Sequence, residues 1–198
     1  MKNNYIKPIH KLLLKDYKSW KKNTFPSKKK LFEKLYLKGQ KPNFMILGCC
    51  DSRVNISSIF NEKEGSFFTH RNIANIVPTY RKQVLSDSTE ATIQYAVSIL
   101  KVKSIIILGH SNCGGVKSFL DNFQKKSKYN DTDFIFSWLK NLKPLIKEKT
   151  LLKNKKLNYK YFEQSNIKLS LKNLLTYPFV KEAIKNKELN ITGLWYDI

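Results

Sequence analysis

The chain has 198 residues, which is enough for one α/β domain with its own core and too few for two domains of ordinary size. Its three cysteines exclude a disulfide framework, and no apolar run approaches the roughly eighteen residues that a transmembrane helix needs. Residues 1–22 alternate charged with apolar side chains and lack the apolar core of a signal peptide. We therefore predict one globular domain over residues 1–198, in the reducing cytoplasm.

The formal net charge of +22 is the strongest bias in the composition. A charge of this size ordinarily indicates a nucleic acid or an anionic membrane surface as partner. The lysines are nevertheless scattered along the chain in runs of two or three, and no recognised nucleic-acid motif accompanies them. We predict a solvated basic surface that binds neither nucleic acid nor membrane.

The N-terminal part of the sequence predicts helices. Apolar residues recur at close to helical spacing in residues 5–22. Pro26 and Ser27 suit a turn before a second helix. We predict that residues 1–30 form a helical arm of the domain.

Two apolar runs carry the residues around which we expect the fold to be organised. Phe44–Val54 starts as a run typical of a strand buried on both faces, and breaks at Gly48 into two thiols, a carboxylate and a guanidinium. Ser104–Gly115 repeats this order, with an aliphatic run, a glycine, and then His110 and Cys113. Because ligands bind beyond the carboxyl ends of parallel strands, the two strand ends would bring these side chains together.

The remaining segments predict an α/β fold with a mostly parallel central sheet flanked by helices. A second strand is predicted at residues 66–70, and residues 86–101 carry N-cap residues and apolar residues at helical spacing. A strand, a helix and a further strand form a right-handed crossover unit with a parallel sheet. Later helices are predicted after Gly114 and Gly115, over residues 134–149 and 167–175, and from Pro178 to near Lys187, with a surface loop at 124–133 and an edge strand at 189–197.

The side chains beyond the two strands are of the kinds that zinc prefers. Zinc binds cysteine sulfur and histidine nitrogen tetrahedrally, and three protein ligands with one open position are typical of a catalytic site. His110, Cys113 and one of the two adjacent cysteines supply that number. Because side chains alternate along an extended segment, Cys49 and Cys50 cannot both face one ion without distortion.

The motifs Cys49-x-Asp51-x-Arg53 and His110-x-x-Cys113 resemble the signature of the β-class carbonic anhydrases, zinc enzymes that interconvert carbon dioxide and bicarbonate. The similarity runs from Leu31 to the C-terminus, and Gln40 and Pro42 precede the first strand as in the plant-type branch of that family. Further matching segments are residues 70–75, 95–97, 114–115, 174–179 and 193–197.

The resemblance implies a lyase, carbonate dehydratase, with one Zn²⁺ per chain bound by Cys49, His110 and Cys113. The family's ligand lies two residues before the aspartate, which selects Cys49, and Cys50 is then expected to be a packed thiol that does not bind the metal. Zinc-bound hydroxide would attack carbon dioxide. Asp51, paired with Arg53, would accept a hydrogen bond from that hydroxide, or would alternatively take the fourth zinc position in a closed, inactive form.

The resemblance also implies a small apolar pocket for carbon dioxide. Gln40 would donate an amide hydrogen bond to the substrate, and the Gly114 backbone would lie beside it. The walls of the pocket would be Phe68, Ile73 and Tyr95, with Tyr95 approaching from a second subunit. The N-terminal helices of the family reach across a partner subunit, so a homodimer or homotetramer is implied.

Two other functions stay open. A carbon disulfide or carbonyl sulfide hydrolase on the same scaffold would share the zinc site and differ in its pocket, and Gln40 favours carbon dioxide. A non-catalytic basic zinc protein that binds nucleic acid would need a fourth ligand to close its site, and a fourth cysteine or histidine is not evident in the sequence.

Overall fold

The computed structural model describes residues 7–82, 87–123, 133–146 and 158–198. The chain forms two compact units, Met1–Gln40 and Lys41–Ile198. The first unit contains the whole of the predicted arm and two helices, α1 at Lys11–Asn23 and α2 at Phe25–Lys38. Trp20 of α1 lies against Phe25 of α2, with ring centroids 5.5 Å apart. No residue of either helix is buried.

The second unit is built on a parallel sheet of four strands, in the order β2, β1, β3, β4. The strands are β1 at Phe44–Cys49, β2 at Phe67–Asn72, β3 at Ser104–His110 and β4 at Asn190–Tyr196. β1 and β3 are neighbours at the centre of the sheet, and Gly48 lies opposite Leu108. Their carboxyl ends therefore reach the same edge, and the predicted parallel sheet with an edge strand at the C-terminus is confirmed.

Helices flank the sheet. They are α3 at Ile56–Ile59, α4 at Ser88–Gln94, α5 at Gly114–Phe123, α6 at Phe134–Leu139, α7 at Tyr159–Leu174 and α8 at Pro178–Lys185. A π-helical turn at Tyr95–Ile99 continues α4, and a 3₁₀-helix at Lys140–Ile146 continues α6. Within the described residues, no helix combines the length and apolarity that crossing a membrane requires.

Alternate residues of the central strands enter different parts of the core. Met45 and Leu47 of β1 pack in a cluster that includes Ile167 of α7 and Val180 of α8. Ile46, between them, belongs to another buried cluster. Burying a large aliphatic side chain contributes about 1.5–3 kcal/mol. This run of buried residues fixes β1 at the centre and so fixes the position of Cys49, its last residue.

Some element boundaries differ from the predictions. The helix predicted to begin at residue 167 begins at Tyr159, because its first half buries Glu163 and Asn166, which an apolar pattern does not reveal. The predicted turn at Pro26 and Ser27 is wrong. Pro26 lies in the first turn of α2, where the missing N–H is not needed for a helical hydrogen bond.

Two further predictions fall partly outside the described residues. The helix predicted over residues 134–149 is described only as far as Ile146, and its second half is a 3₁₀-helix that contains Pro144. The predicted loop at 124–133 lies outside the described residues except for Asp133. The short helix α3 was not predicted. The side chain of Asn55 caps it by accepting a hydrogen bond from the Ser58 main-chain N–H at 3.1 Å.

Candidate metal centre

The ends of the two central strands meet at a cluster of three metal-binding side chains. Cys49 is the last residue of β1, His110 is the last residue of β3, and Cys113 lies just before α5. The sulfurs of Cys49 and Cys113 are 4.0 Å apart. The ligand atoms of all three residues lie within 4.8 Å of one another. The sheet register thus brings together residues that are separated by about a third of the chain.

The cluster is shielded from solvent. Cys49 is 4% exposed, Cys113 is 2% exposed and His110 is 1% exposed. A buried charge is costly unless it is paired with a counter-charge or binds a metal. The arrangement therefore favours a bound cation over two isolated thiolates.

The hydrogen bonds of His110 determine which ring nitrogen is available. Nδ1 lies 2.8 Å from the main-chain carbonyl oxygen of Ser111. A carbonyl can only accept, so Nδ1 carries a proton, and Nε2 is the ring nitrogen left for a metal ion. Nε2 is buried and has no hydrogen-bond partner among the described residues. A carbonyl that orients the ring in this way is the usual companion of a metal-binding histidine, so the orphaned Nε2 fits a metal ion.

The two thiols share one negative charge in the absence of a metal. The hydrogen bond from the Cys113 thiol holds the pKa of Cys49 well below its ordinary value. The same hydrogen bond raises the pKa of Cys113, because that proton stabilises the neighbouring thiolate. A thiolate at Cys49 suits a divalent cation.

Asp51 lies beside the cluster and is held by Arg53. Arg53 Nε donates to Asp51 Oδ1 at 2.9 Å, and Arg53 Nη2 donates to Oδ2 at 2.7 Å. Arg53 Nη2 also donates to the main-chain oxygen of Asn112 at 3.0 Å, which ties the loop after β1 to the loop after β3. The Arg53 hydrogen bond lowers the pKa of Asp51, so the carboxylate is ionised at neutral pH.

The Asp51 carboxylate lies next to the cluster of three candidate ligands without being part of it. Asp51 Oδ2 is 3.9 Å from His110 Nε2, but Asp51 is not a member of the three-residue cluster. In this structure Asp51 therefore contacts the edge of the candidate metal site and keeps its bidentate pair with Arg53.

Cys50 lies outside the cluster. Its main-chain N–H donates to the Asn72 carbonyl oxygen at 3.0 Å, which extends the pairing of β1 with β2 by one residue. The expectation of a packed thiol is wrong, because Cys50 is exposed. Cys50 lies one residue beyond β1, where the run of buried residues ends.

Four of the predicted pocket residues belong to the second unit. Phe68 and Tyr95 stack with ring centroids 5.7 Å apart, and Tyr95 is 45% exposed. Ile73 is 37% exposed. It packs against the start of α5, because a Cβ added at Gly115 would be 2.8 Å from Ile73 Cγ2. A Cβ added at Gly114 would meet nothing within 4 Å, so the backbone there borders open space.

Gln40, the fifth predicted pocket residue, is the last residue of the first unit. Its role, and the substrate contacts of the other four residues, stay predictions.

Two polar residues that the sequence reasoning did not assign to the site contact its main chain. Arg71 of β2 donates from Nε to the Cys49 carbonyl oxygen at 2.8 Å and from Nη2 to the Asp51 carbonyl oxygen at 2.7 Å. The buried Glu163 of α7 accepts a hydrogen bond from the Cys113 main-chain N–H at 3.1 Å. Both act on backbone groups, which side-chain patterns do not display. The one available signal for Arg71 was its place in the matching segment 70–75.

The parallel sheet and the cysteine and histidine side chains at its edge define an α/β protein with a candidate metal centre. A family model described as carbonic anhydrase matches residues 44–198. The chain belongs to the carbonic anhydrase family, and the relatives and solved structures that it matches place it in the β class.

Individual relatives agree with this assignment. A carbonic anhydrase of Emericella nidulans is 34% identical over 143 residues, which cover 72% of this chain and 57% of that protein. The structure of the β-carbonic anhydrase CcaA superposes with a TM-score of 0.83 at 29% identity, covering 94% of this chain and 82% of that one. One of two tetrameric β-carbonic anhydrases of Sordaria macrospora superposes with a TM-score of 0.77 at 32% identity, covering 94% of this chain and 90% of that one. The chain spans little more than half the length of the curated relative from Emericella nidulans.

Proposed function

We propose that the chain catalyses the reversible hydration of carbon dioxide to bicarbonate and a proton, with Zn²⁺ as its cofactor. The observation that carries this proposal is the buried cluster of Cys49, His110 and Cys113, with the Arg53-held carboxylate of Asp51 at its edge. Membership of the carbonic anhydrase family supports the same reaction. The proposed activity is that of a lyase.

The donor set supports zinc as the metal. Two sulfurs and one imidazole nitrogen are ligands that zinc binds in proteins, and three protein ligands are the number found at catalytic zinc sites. Cys49, Cys113 and the unpartnered Nε2 of His110 would hold the ion. When bound, zinc supplies Lewis acidity that lowers the pKa of water towards neutrality.

Asp51 would orient the attacking water by accepting its hydrogen bond. A carboxylate oxygen has two lone pairs, so Asp51 Oδ2 can accept from water while it also accepts from Arg53 Nη2. Because the Arg53 pair lowers the pKa of Asp51, the acceptor is anionic throughout the neutral range. The same pair competes with direct binding of Asp51 to the metal and so favours the open form of the site.

The substrate is apolar and would lie between side chains with little polarity. We assign the walls of the pocket to Phe68, Ile73 and Tyr95. Ile73 and Tyr95 are partly exposed, and Phe68 stacks on Tyr95. The open space at the Gly114 backbone leaves room for a small molecule there. Gln40 would contribute the single amide donor.

An oligomer is part of the proposal. The Sordaria macrospora relatives are described as tetrameric. Tyr95 and Ile99, in the π-helical turn, are 45% and 64% exposed, which is apolar surface that a second copy would cover. We propose a homodimer or homotetramer located in the cytoplasm, and light scattering of the purified protein tests the oligomeric state.

A stopped-flow assay of carbon dioxide hydration, together with metal analysis, tests the proposal. We expect the zinc-loaded protein to accelerate hydration, to lose this activity when a chelator removes zinc, and to regain it when zinc is restored. Parallel assays with carbonyl sulfide and carbon disulfide, and of DNA binding at several salt concentrations, test the alternative functions. A protein that carries one zinc per chain and leaves hydration at its uncatalysed rate would overturn the proposal.

A further inference from the structure

One face of α7 is both buried and polar. Asn166, Ser170 and Asn173 recur along this face at helical spacing, and each is less than a tenth exposed. Asn166 Nδ2 donates to the Ala74 carbonyl oxygen at 2.6 Å, and Asn173 Nδ2 donates to the Val77 carbonyl oxygen at 2.8 Å. Ser170 Oγ donates to the carbonyl oxygen of Asn75 at 3.2 Å. α7 therefore holds the main chain of the segment that follows β2.

That segment contains two consecutive residues in the left-handed region. Ala74 has φ 64° and ψ 24°, and Asn75 has φ 46°. For a residue with a Cβ this conformation is unfavourable, and it is uncommon for alanine. Such residues persist where the surrounding structure holds them, and they concentrate at functional sites. The hydrogen bonds from α7 hold this turn together with two others: the Asn72 side chain bonds to both the N–H and the carbonyl oxygen of Ile76, and Trp138 Nε1 donates to the Ile73 carbonyl oxygen.

Asn166 is a poor choice of side chain for stability alone. It is 1% exposed, and its Oδ1 has no hydrogen-bond partner among the described residues. An unpaired buried acceptor destabilises the fold, whereas an apolar side chain of the same shape has no such penalty. The presence of a half-satisfied amide at this position points to a role for its one hydrogen bond, the bond to Ala74.

The turn lies directly against the candidate metal centre. Ala74 is fully buried in the same cluster as Cys49 and Cys113. A Cβ added at Gly115, two residues after Cys113, would be 2.9 Å from the Ala74 Cβ. The left-handed turn thus packs Ala74 against the start of α5, next to the segment that carries Cys113.

We propose that Asn166 is a positioning residue of the metal site, which holds Ala74 in its left-handed conformation so that Ala74 stays packed in the cluster that contains Cys49 and Cys113. The inference rests on the proposed function, because it requires that Cys49 binds a metal. Asn166 itself contacts neither the metal-binding atoms nor the substrate pocket in this assignment. It acts through the backbone of residues 73–75.

The test compares Asn166→Leu with Asn173→Leu in the full chain. Both substitutions remove one amide-to-carbonyl hydrogen bond between α7 and the same segment. Asn173→Leu also removes the hydrogen bond that Asn173 Oδ1 accepts from Thr79 at 3.3 Å, but only Asn166 bonds to Ala74. We expect Asn166→Leu to lower the affinity for Zn²⁺, measured by competition with a chromogenic chelator, by about 10- to 100-fold. Asn173→Leu should leave the affinity unchanged.

Two further measurements separate positioning from general loss of stability. The thiolate-to-metal charge-transfer band of the Co²⁺-loaded protein should shift in Asn166→Leu and stay unchanged in Asn173→Leu. Amide hydrogen exchange of residues 73–76 in the metal-free protein should accelerate in Asn166→Leu. If Asn166→Leu does not fold, Asn166→Ala, which removes the amide donor without adding bulk or charge, is expected to show the same changes.

A second substitution in the turn provides a rescue. Glycine adopts the left-handed region without penalty, so Ala74→Gly in the Asn166→Leu background should recover roughly five- to thirtyfold in Zn²⁺ affinity. Equal affinity losses in Asn166→Leu and Asn173→Leu, or an unchanged affinity in Asn166→Leu, would overturn the positioning role while the proposed function stands. Failure of the wild-type chain to bind Zn²⁺ would overturn both.

Discussion

The Arg53 guanidinium binds both carboxylate oxygens of Asp51, at 2.9 Å and 2.7 Å, and also binds the Asn112 carbonyl oxygen at 3.0 Å. One side chain therefore fixes the orientation of the carboxylate and joins the loops that follow β1 and β3, at whose ends the candidate metal ligands lie. Planar, bidentate recognition of this kind is specific to arginine, because a lysine ammonium cannot reproduce the fork geometry. This relationship leads to the first two predictions.

Asp51→Asn should retain the metal and lose most of the activity. Asparagine keeps the shape of the side chain but lacks the anionic acceptor that the mechanism requires. We expect hydration to fall by roughly 10²- to 10⁴-fold, the usual range for loss of a group that handles a proton. Stopped-flow turnover and zinc content of the same sample test this. Unchanged turnover at full zinc occupancy would remove Asp51 from the mechanism.

The stability conferred by Asp51 should depend on pH in a defined direction. The Arg53 hydrogen bond holds the pKa of Asp51 below its ordinary value, which is about 3.9 in an unfolded chain. A carboxyl group of this kind stabilises the fold above the unfolded pKa, and the contribution disappears as the pH falls through the folded pKa.

We therefore expect metal-free Asp51→Asn to melt at a lower temperature than metal-free wild type at about pH 6, and the gap to shrink below about pH 4. Circular dichroism melts across this range measure the gap, and Glu33→Gln on the exposed face of α2 serves as a control. A gap that stays constant with pH would contradict the assigned role of the ion pair.

The adjacent cysteines should behave differently when each is replaced. Cys49 is buried with its sulfur 4.0 Å from that of Cys113, whereas Cys50 is exposed and outside the cluster. Cys49→Ser should lower zinc affinity by more than about 100-fold, beyond the losses typical of residues around a metal site. Cys50→Ser should bind zinc as the wild type does. Similar losses in both variants, measured by chelator competition, would refute the assignment of Cys49.

The two glycines at the start of α5 should also differ. A Cβ at Gly115 would lie 2.8 Å from Ile73 Cγ2 and 2.9 Å from Ala74 Cβ, whereas a Cβ at Gly114 would meet nothing within 4 Å. Gly115→Ala should therefore reduce the free energy of unfolding by about 1–3 kcal/mol, the usual result of overpacking. Gly114→Ala should fold normally and bind zinc but hydrate carbon dioxide more slowly, because the added methyl group occupies proposed substrate space. Denaturant melts and stopped-flow assays measure these effects, and a stable Gly115→Ala would contradict the tight contact.

The positions of the strand ends were predictable from the sequence because a strand buried on both faces leaves a continuous apolar run in a short stretch of chain. An apolar run buried on both faces predicts a central parallel strand, and parallel strands end at one edge, so Cys49 and His110 had to be close. The prediction of a packed thiol at Cys50 failed because the strand, and with it the burial of both faces, ends at Cys49.

The missed features all involve backbone partners or buried polar groups. Arg71 and Asn166 bond to carbonyl oxygens that are distant in sequence, and a sequence does not show where those carbonyls will lie. The early start of α7 was missed because its buried face carries Glu163 and Asn166 instead of apolar residues. Hydrophobic periodicity detects burial only where burial is apolar.

The order in which the site can assemble follows from the long sequence separations within it. Cys49 and Cys113 are 64 residues apart, and Asn166 bonds to a residue 92 positions earlier. Contacts between such distant positions close large loops and form late in folding. If Asn166 positions the metal site as proposed, the site is complete only after α7 has left the ribosome, and fragments ending before residue 158 should bind Zn²⁺ more weakly than the full chain.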